Sequence, residues 1–335
     1  MEDDLDYSDY YSSEQIQSFG LCDMKHLRDF GQKFLPMVYS VEATLGILAN
    51  AALLFIFIRY TNIRKSPPLC MAISDLIFAA TLPFFAVYAT ASSWSFGLSA
   101  CKMITFLYTV TMYSSNFSLA FMTLEKYYTV VSVFCSVRVM GIPVRHFAAF
   151  SVWLFSVLAS VPYVYFVDTH EHDGHQICTY HHVHEWRTAM KFEDIIVGFV
   201  VPFVIMFVCS VQLSYNITKT YPDRKCAVFK QHMAFVVAFF ILWCPYIVVI
   251  FMHALQELHI WSDCTTNQNL HLAVQLTECL AFTHVFVNPV LYALQDKRIR
   301  RLFHTRTAEF LIESSEHTMA VELTAVHPAT SAEGQ

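Results

Sequence analysis

Five polar side chains stand inside long apolar stretches of this 335-residue chain: Asn50, Asp75, Ser115, His284 and Asn288. A carboxylate in such a setting is costly unless partners or a cation satisfy it. The five read as one buried polar cluster, with Asp75 and Ser115 as oxygen donors for a small cation such as sodium. Pro83, Pro202, Pro245 and Pro289 interrupt four of the same stretches. A proline removes a backbone donor and frees a carbonyl, so each marks a hinge or kink. Two of them lie in Trp243-Cys244-Pro245-Tyr246 and Asn288-Pro289-Val290-Leu291-Tyr292.

The elements that must position these residues are helices in a bilayer. Apolar residues make up 56% of the chain and charged ones only 14%, with mean hydropathy +0.44; a soluble domain carries about 25% charged residues. Seven apolar runs cover 35–60, 67–90, 101–133, 147–167, 192–217, 231–257 and 270–294. Each reaches the roughly 20 residues that a helix needs to cross about 30 Å of hydrocarbon. The expected fold is an all-α membrane protein, a seven-transmembrane bundle, because only helices satisfy their backbone within a single span. Fifteen of 21 Lys and Arg, among them Arg59, Lys65, Lys126, Arg138 and Arg145, fall on one side if the N-terminus is outside. That asymmetry places the N-terminus outside and the C-terminus in the cytoplasm. Only 8 Gly are present, with no GxGxxG or GxxxxGK[ST]. HExxH, GxSxG and CxxC are also missing, so no enzyme or nucleic-acid chemistry is indicated.

The segment 1–34 reads as an acidic extracellular N-terminus. Its first 14 residues carry six carboxylates and no base, with Tyr7, Tyr10 and Tyr11 among them. It reads as a disordered lure for a basic partner, sharpened if the tyrosines are sulfated. Cys22, Cys101, Cys178 and Cys264 fall on the outer side, where disulfides form, and four cysteines allow three pairings. The second outer loop holds His170, His172, His175, His181, His182 and His184. These are a solvated loop, an accidental match to metal-ligand spacing, or a cluster that gains charge on acidification. Residues 295–305 read as an amphipathic interfacial helix and 306–335 as a polar cytoplasmic tail. The sequons at Asn116 and Asn216 lie in or at the inner end of spans and should stay unglycosylated.

Asn50, Asp75, Trp153, Pro202, Trp243-x-Pro245 and Asn288-Pro289-x-x-Tyr292 resemble the helix signatures of rhodopsin-like (class A) G-protein-coupled receptors. Several segments are similar to the chemokine receptors within that class: the acidic N-terminus, Thr81-Leu82-Pro83-Phe84, Trp94-x-Phe96-Gly97 before Cys101, Leu107-Tyr108-Thr109, and Thr277-Glu278-x-x-Ala281-Phe282-x-His284. The resemblance covers nearly all of 20–305. It implies a Cys101–Cys178 bridge from the third span to the second outer loop, and a Cys22–Cys264 bridge from the N-terminus to the third. It also makes Glu278 a pocket carboxylate for a cationic ligand terminus, with Tyr39, Tyr108 and Tyr246 in the same cavity. For Glu42 and Glu193, a structural acid and a ligand contact are equal readings.

The chain departs from the family at the inner end. Most signalling members carry Asp-Arg-Tyr where this chain has Glu125-Lys126-Tyr127. An ammonium is a hydrated point charge and does not replace a planar five-donor guanidinium. Ser210 stands where the family usually has a Tyr, and Phe85 where it commonly has a Trp. With the outer half intact, this pattern resembles the atypical, scavenging chemokine receptors. The expected function is capture and internalisation of chemokines of CC type at the plasma membrane, with cycling through endosomes. Weak or absent G-protein coupling follows, and β-arrestin is a cytoplasmic partner to consider. The alternatives are a G-protein-signalling chemokine receptor and, more remotely, a channel or transporter.

Overall fold

A computed structural model describes residues 25–60, 66–135, 142–172, 174–180, 184–220, 225–258 and 264–302. Four long helices open the chain: α1 (Lys25–Arg59), α2 (Ser66–Ala91), α3 (Gly97–Cys135) and α4 (Ile142–Phe166). An antiparallel hairpin follows, β1 (Val167–His172) with β2 (His175–Tyr180). The fifth column is composite: α5 (His184–Glu193), a π-helical stretch Asp194–Val200, then α6 (Val201–Thr220). The sixth is α7 (Lys225–Glu257), and the seventh runs through α8 (Cys264–Phe282) and α9 (His284–Gln295). Residues 297–302, at the end of the described chain, are again helical.

Among the described residues, six columns are long and apolar enough to cross a membrane. The seventh, α3, is less apolar for a structural reason. Its Thr111, Ser114, Ser115, Asn116 and Ser118 are all buried, so its polar positions face the bundle and not the lipid. Large apolar side chains cover the outside instead, with Ile58 73% and Phe147 71% exposed. That inversion of ordinary surface chemistry is what a hydrocarbon solvent selects. The columns close into a ring in which α1 packs on α2 and on the seventh column, and α3 touches α2, α4 and α6. Gly46 permits the close crossing of the first, second and seventh columns. A Cβ there would stand 2.8 Å from Val285 and 2.9 Å from Ala79.

The prolines create needs that two asparagines meet. Pro202 cannot donate to the carbonyl four residues back, that of Gly198, and its ring crowds it. The chain widens into the π-helical stretch just before Pro202, and Asn116 Nδ2 of α3 donates to Gly198 O at 3.0 Å. Pro289 frees the carbonyl of Val285 in the same way, and Asn50 Nδ2 of α1 donates to it at 2.7 Å. Asn50 therefore serves the backbone of the seventh column, beside the Asp75 cluster expected from the sequence. Asn116, read above as a sequon that stays unglycosylated, is fully buried.

Candidate functional site

The disulfide end of the bundle holds a cavity of about 320 Å³. Each of the four pocket residues expected from the sequence lines it: Tyr39 from α1, Tyr108 from α3, Tyr246 from α7 and Glu278 from α8. Tyr39 Oη donates to Glu278 Oε2 at 3.3 Å, which ties the first column to the seventh across the cavity wall. The cover comes from the hairpin. The Cys101–Cys178 disulfide, with Cα atoms 5.8 Å apart, draws β2 over the opening, so Cys178, Thr179 and Tyr180 join the lining. Trp94 N donates to Gln176 O at 2.6 Å and fixes the hairpin from the α2–α3 connection. Burial pushes the Tyr180 phenol above its ordinary range and keeps it neutral. A second pocket, of about 440 Å³, opens between α1, α2 and β2 and shares Tyr39, Phe85, Tyr88 and Glu278 with the first. Phe85 thus stands at the junction of the two.

Sequence reasoning missed two charged lining residues on the fifth column, Asp194 and Lys191. Glu193, weighed from the sequence, is not in the lining; its neighbour is. The available signal was an acidic pair at the start of an apolar run, but only the helix phase decides which acid faces inward. Glu42 is also buried, 2% exposed, and among the described residues neither of its carboxylate oxygens has a hydrogen-bond partner.

Below the cavity four of the five expected polar residues, Asp75, Ser115, His284 and Asn288, come together from three columns. Ser115 Oγ donates to Asp75 Oδ1, and Asn288 Nδ2 to Asp75 Oδ2 at 3.2 Å. His284 Nε2 lies 3.7 Å from Asp75 Oδ1, while its Nδ1 donates to Ala281 O at 2.8 Å. A continuous aromatic path joins the two sites: Tyr246 and Trp243 have ring centroids 6.4 Å apart, and Trp243 and His284 5.2 Å. Trp243 sits two residues before Pro245, at a point where the helix loses a backbone hydrogen bond.

A ligand-sized cavity, a disulfide-held hairpin and a polar core reached through Trp243 are now joined by sequence comparison. The family model described as 7 transmembrane receptor (rhodopsin family) matches residues 49–292. Human C-C chemokine receptor type 4 is 32% identical over 320 residues, covering 92% of this chain and 88% of that protein. The chain belongs to the chemokine receptors of the rhodopsin-like family. Mouse atypical chemokine receptor 2 is also 32% identical, over 292 residues, covering 84% of this chain and 76% of that protein. Human C-C chemokine receptor type 1 is 29% identical over 303 residues, covering 87% and 85%. The receptor is a multi-pass membrane protein and not an enzyme.

At the end of this receptor opposite the disulfide, the divergent triplet is locked into the bundle. Glu125 pairs with Arg145 of α4 at 3.0 Å. Lys126 Nζ lies 5.4 Å from the ring centroid of Phe235 on α7, a cation–π contact between the third and sixth columns. Ser210 is 1% exposed, and among the described residues its hydroxyl has no hydrogen-bond partner. Tyr127 stacks edge-on with Tyr128 at 5.7 Å. Tyr292 Oη donates to Asp296 Oδ2 at 3.3 Å. The other oxygen of Asp296 accepts from Arg298 N at 2.8 Å and so caps the short helix over 297–302, whose Ile299 is fully buried.

Tyr7, Tyr10, Tyr11, Cys22, His181 and His182 lie outside the described residues, as does the tail from residue 303. Cys264 is disulfide-bonded. His170, His172 and His175 lie on the hairpin, where residues 172 and 175 pair across its end. Among the described residues, no group of three His, Cys, Asp or Glu side chains is placed to hold a metal.

Proposed function

We propose that this receptor binds chemokines of CC type at the plasma membrane and removes them by internalisation, with weak or absent G-protein coupling. The N-terminus is outside, a reading supported by the Lys and Arg asymmetry. The acidic segment 1–14 makes the first electrostatic contact with a basic ligand, aided by sulfation of Tyr7, Tyr10 and Tyr11. Cys22 pairs with Cys264 and holds that segment to the mouth. The ligand's cationic terminus then enters the cavity and meets Glu278, with Tyr39, Tyr108 and Tyr246 as its walls.

The observation that carries the scavenging reading is the state of the opposite end. Lys126 contacts Phe235 through its ammonium, and Ser210 stands where the family usually has a Tyr. A cation–π contact is worth roughly 0.5–2 kcal/mol, and here it joins the third and sixth columns at the end opposite the disulfide. Trp243, Pro245, Asn288, Pro289 and Tyr292 remain as the moving parts between the cavity and the opposite end. The carboxylate of Asp75 and Ser115 Oγ supply oxygen donors that fit a small hard cation such as sodium. β-arrestin is the cytoplasmic partner that internalisation calls for.

The second reading, a receptor that signals through G proteins, draws on the 32% identity to human C-C chemokine receptor type 4, equal to that with the atypical receptor. One experiment separates them. A panel of fluorescent CC chemokines is applied to cells bearing the receptor, and uptake and G-protein activation are recorded together. Uptake without activation is expected. Strong activation by a bound chemokine supports the signalling reading, and no chemokine bound at all removes both.

A further inference from the structure

Two acids face the cavity from different columns, Glu278 on α8 and Asp194 on the fifth. The first is engaged by Tyr39. The second begins the π-helical stretch Asp194–Val200. Wide turns of this kind re-aim side chains and concentrate at functional sites. The position of Asp194 is set by what lies beside it. A Cβ on Gly198 would fall 2.9 Å from Asp194 Oδ1 and 3.1 Å from Tyr113 Cε1, so the missing side chain is the space the carboxylate uses. Tyr113 in turn is held by a 2.9 Å hydroxyl contact with Tyr163, whose Oη donates to Met190 O at 3.1 Å. The nearby base is directed elsewhere: Lys191, one turn before Asp194, donates through Nζ to His253 Nδ1 on α7. Among the described residues, Asp194 makes no ion pair.

We propose that Asp194 is a second anionic anchor of the cavity, so that the inserted part of the ligand carries two cationic groups, one for Glu278 and one for Asp194. This deepens the reading of the cavity as a binding site for a cationic ligand terminus and rests on it. A carboxylate half-removed from water has lost hydration that only a charged or hydrogen-bonding guest restores. The walls between the two acids are phenolic and apolar, from Tyr108, Tyr246 and Ile250, which suits the methylene stem of a lysine, an arginine or a diamine. An α-ammonium followed within a few residues by a basic side chain meets both anchors. A singly charged terminus meets one.

The test uses the purified full-length receptor and linear α,ω-diamines of three to eight carbons, with alkyl monoamines of the same lengths as controls. Thermal unfolding is followed for wild type, Asp194→Asn, Asp194→Glu and Glu278→Gln. At least one diamine should raise the wild-type Tm well above the shift from its monoamine. Asp194→Asn and Glu278→Gln should each reduce the diamine shift to the monoamine level, and Asp194→Glu should keep it. A chemokine from the uptake panel, applied to cells bearing the receptor, then gives the second arm, in its native form and with its first basic side chains changed to Gln. Asp194→Asn should cost the native form about tenfold to a hundredfold in affinity, as expected for one charged hydrogen bond, and cost the Gln form nothing. Equal shifts from diamines and monoamines in wild type overturn the proposal, as does an Asp194→Asn receptor that keeps the full diamine shift. If no chemokine binds while the diamine arm succeeds, the chemokine reading fails and the two-anchor cavity stands.

Discussion

At the residue scale, the polar atoms of this bundle are best understood by asking which backbone group each one serves. Asn116 and Asn50 take up the carbonyls that Pro202 and Pro289 release. Replacing either by Leu leaves a buried carbonyl without a donor, at a cost of about 1–3 kcal/mol. The expected outcome is a lower Tm for each variant of the purified receptor. A neutral Asn50→Leu would mean that another group serves Val285 O. Glu42 is the opposite case, a buried carboxylate with no hydrogen bond on either oxygen among the described residues. Glu42→Met removes an unsatisfied group and should stabilise the receptor by about 1–3 kcal/mol, read as a raised Tm. A fall in Tm would show that the acid holds a proton or cation that the fold depends on.

At the element scale, the β1–β2 hairpin is a two-stranded piece that would be marginal alone. It is placed by the Cys101–Cys178 bridge and by the Trp94–Gln176 hydrogen bond. Cys178→Ser removes the stronger tie, typically about 2–4 kcal/mol. Surface delivery of that variant should fall sharply. Cys264→Ser should leave delivery near wild type and weaken chemokine binding, because it frees only the mouth. Surface counts and ligand saturation on the same cells check both, and equal delivery losses would refute the division of roles. The fifth column shows how one element sets a site: Pro202 and the wide turn before it fix the phase of Asp194.

For the whole molecule, the two ends do different work. The disulfide end builds the cavity, and the opposite end holds the third and sixth columns together through Lys126 and Phe235. Lys126→Arg combined with Ser210→Tyr should raise agonist-driven G-protein activation above wild type, and Lys126→Arg alone should restore little. An unchanged double variant would place the block to coupling elsewhere. Deleting residues 2–14 should weaken chemokine binding and flatten its salt dependence, because exposed charges are screened within about 10 Å at 0.1 M salt. Identical affinities at low and physiological salt would remove the acidic segment from ligand capture.

The sequence by itself determined the seven spans, since apolar runs of membrane length leave a chain little choice but helices. It also determined the Asp75 cluster, because a carboxylate, an amide and an imidazole in apolar helices need one another. Tyr39, Tyr108, Tyr246 and Glu278 were legible through family motifs and do share one cavity. Asp194 was not legible. Glu193 and Asp194 are adjacent and equally acidic, and a π-helical turn shifts the phase on which any periodicity argument relies. The roles of Asn50 and Asn116 were hidden too, because a carbonyl freed by proline is satisfied by whichever helix packs against it. The tertiary structure alone chose those neighbours, through close approaches such as the one Gly46 permits.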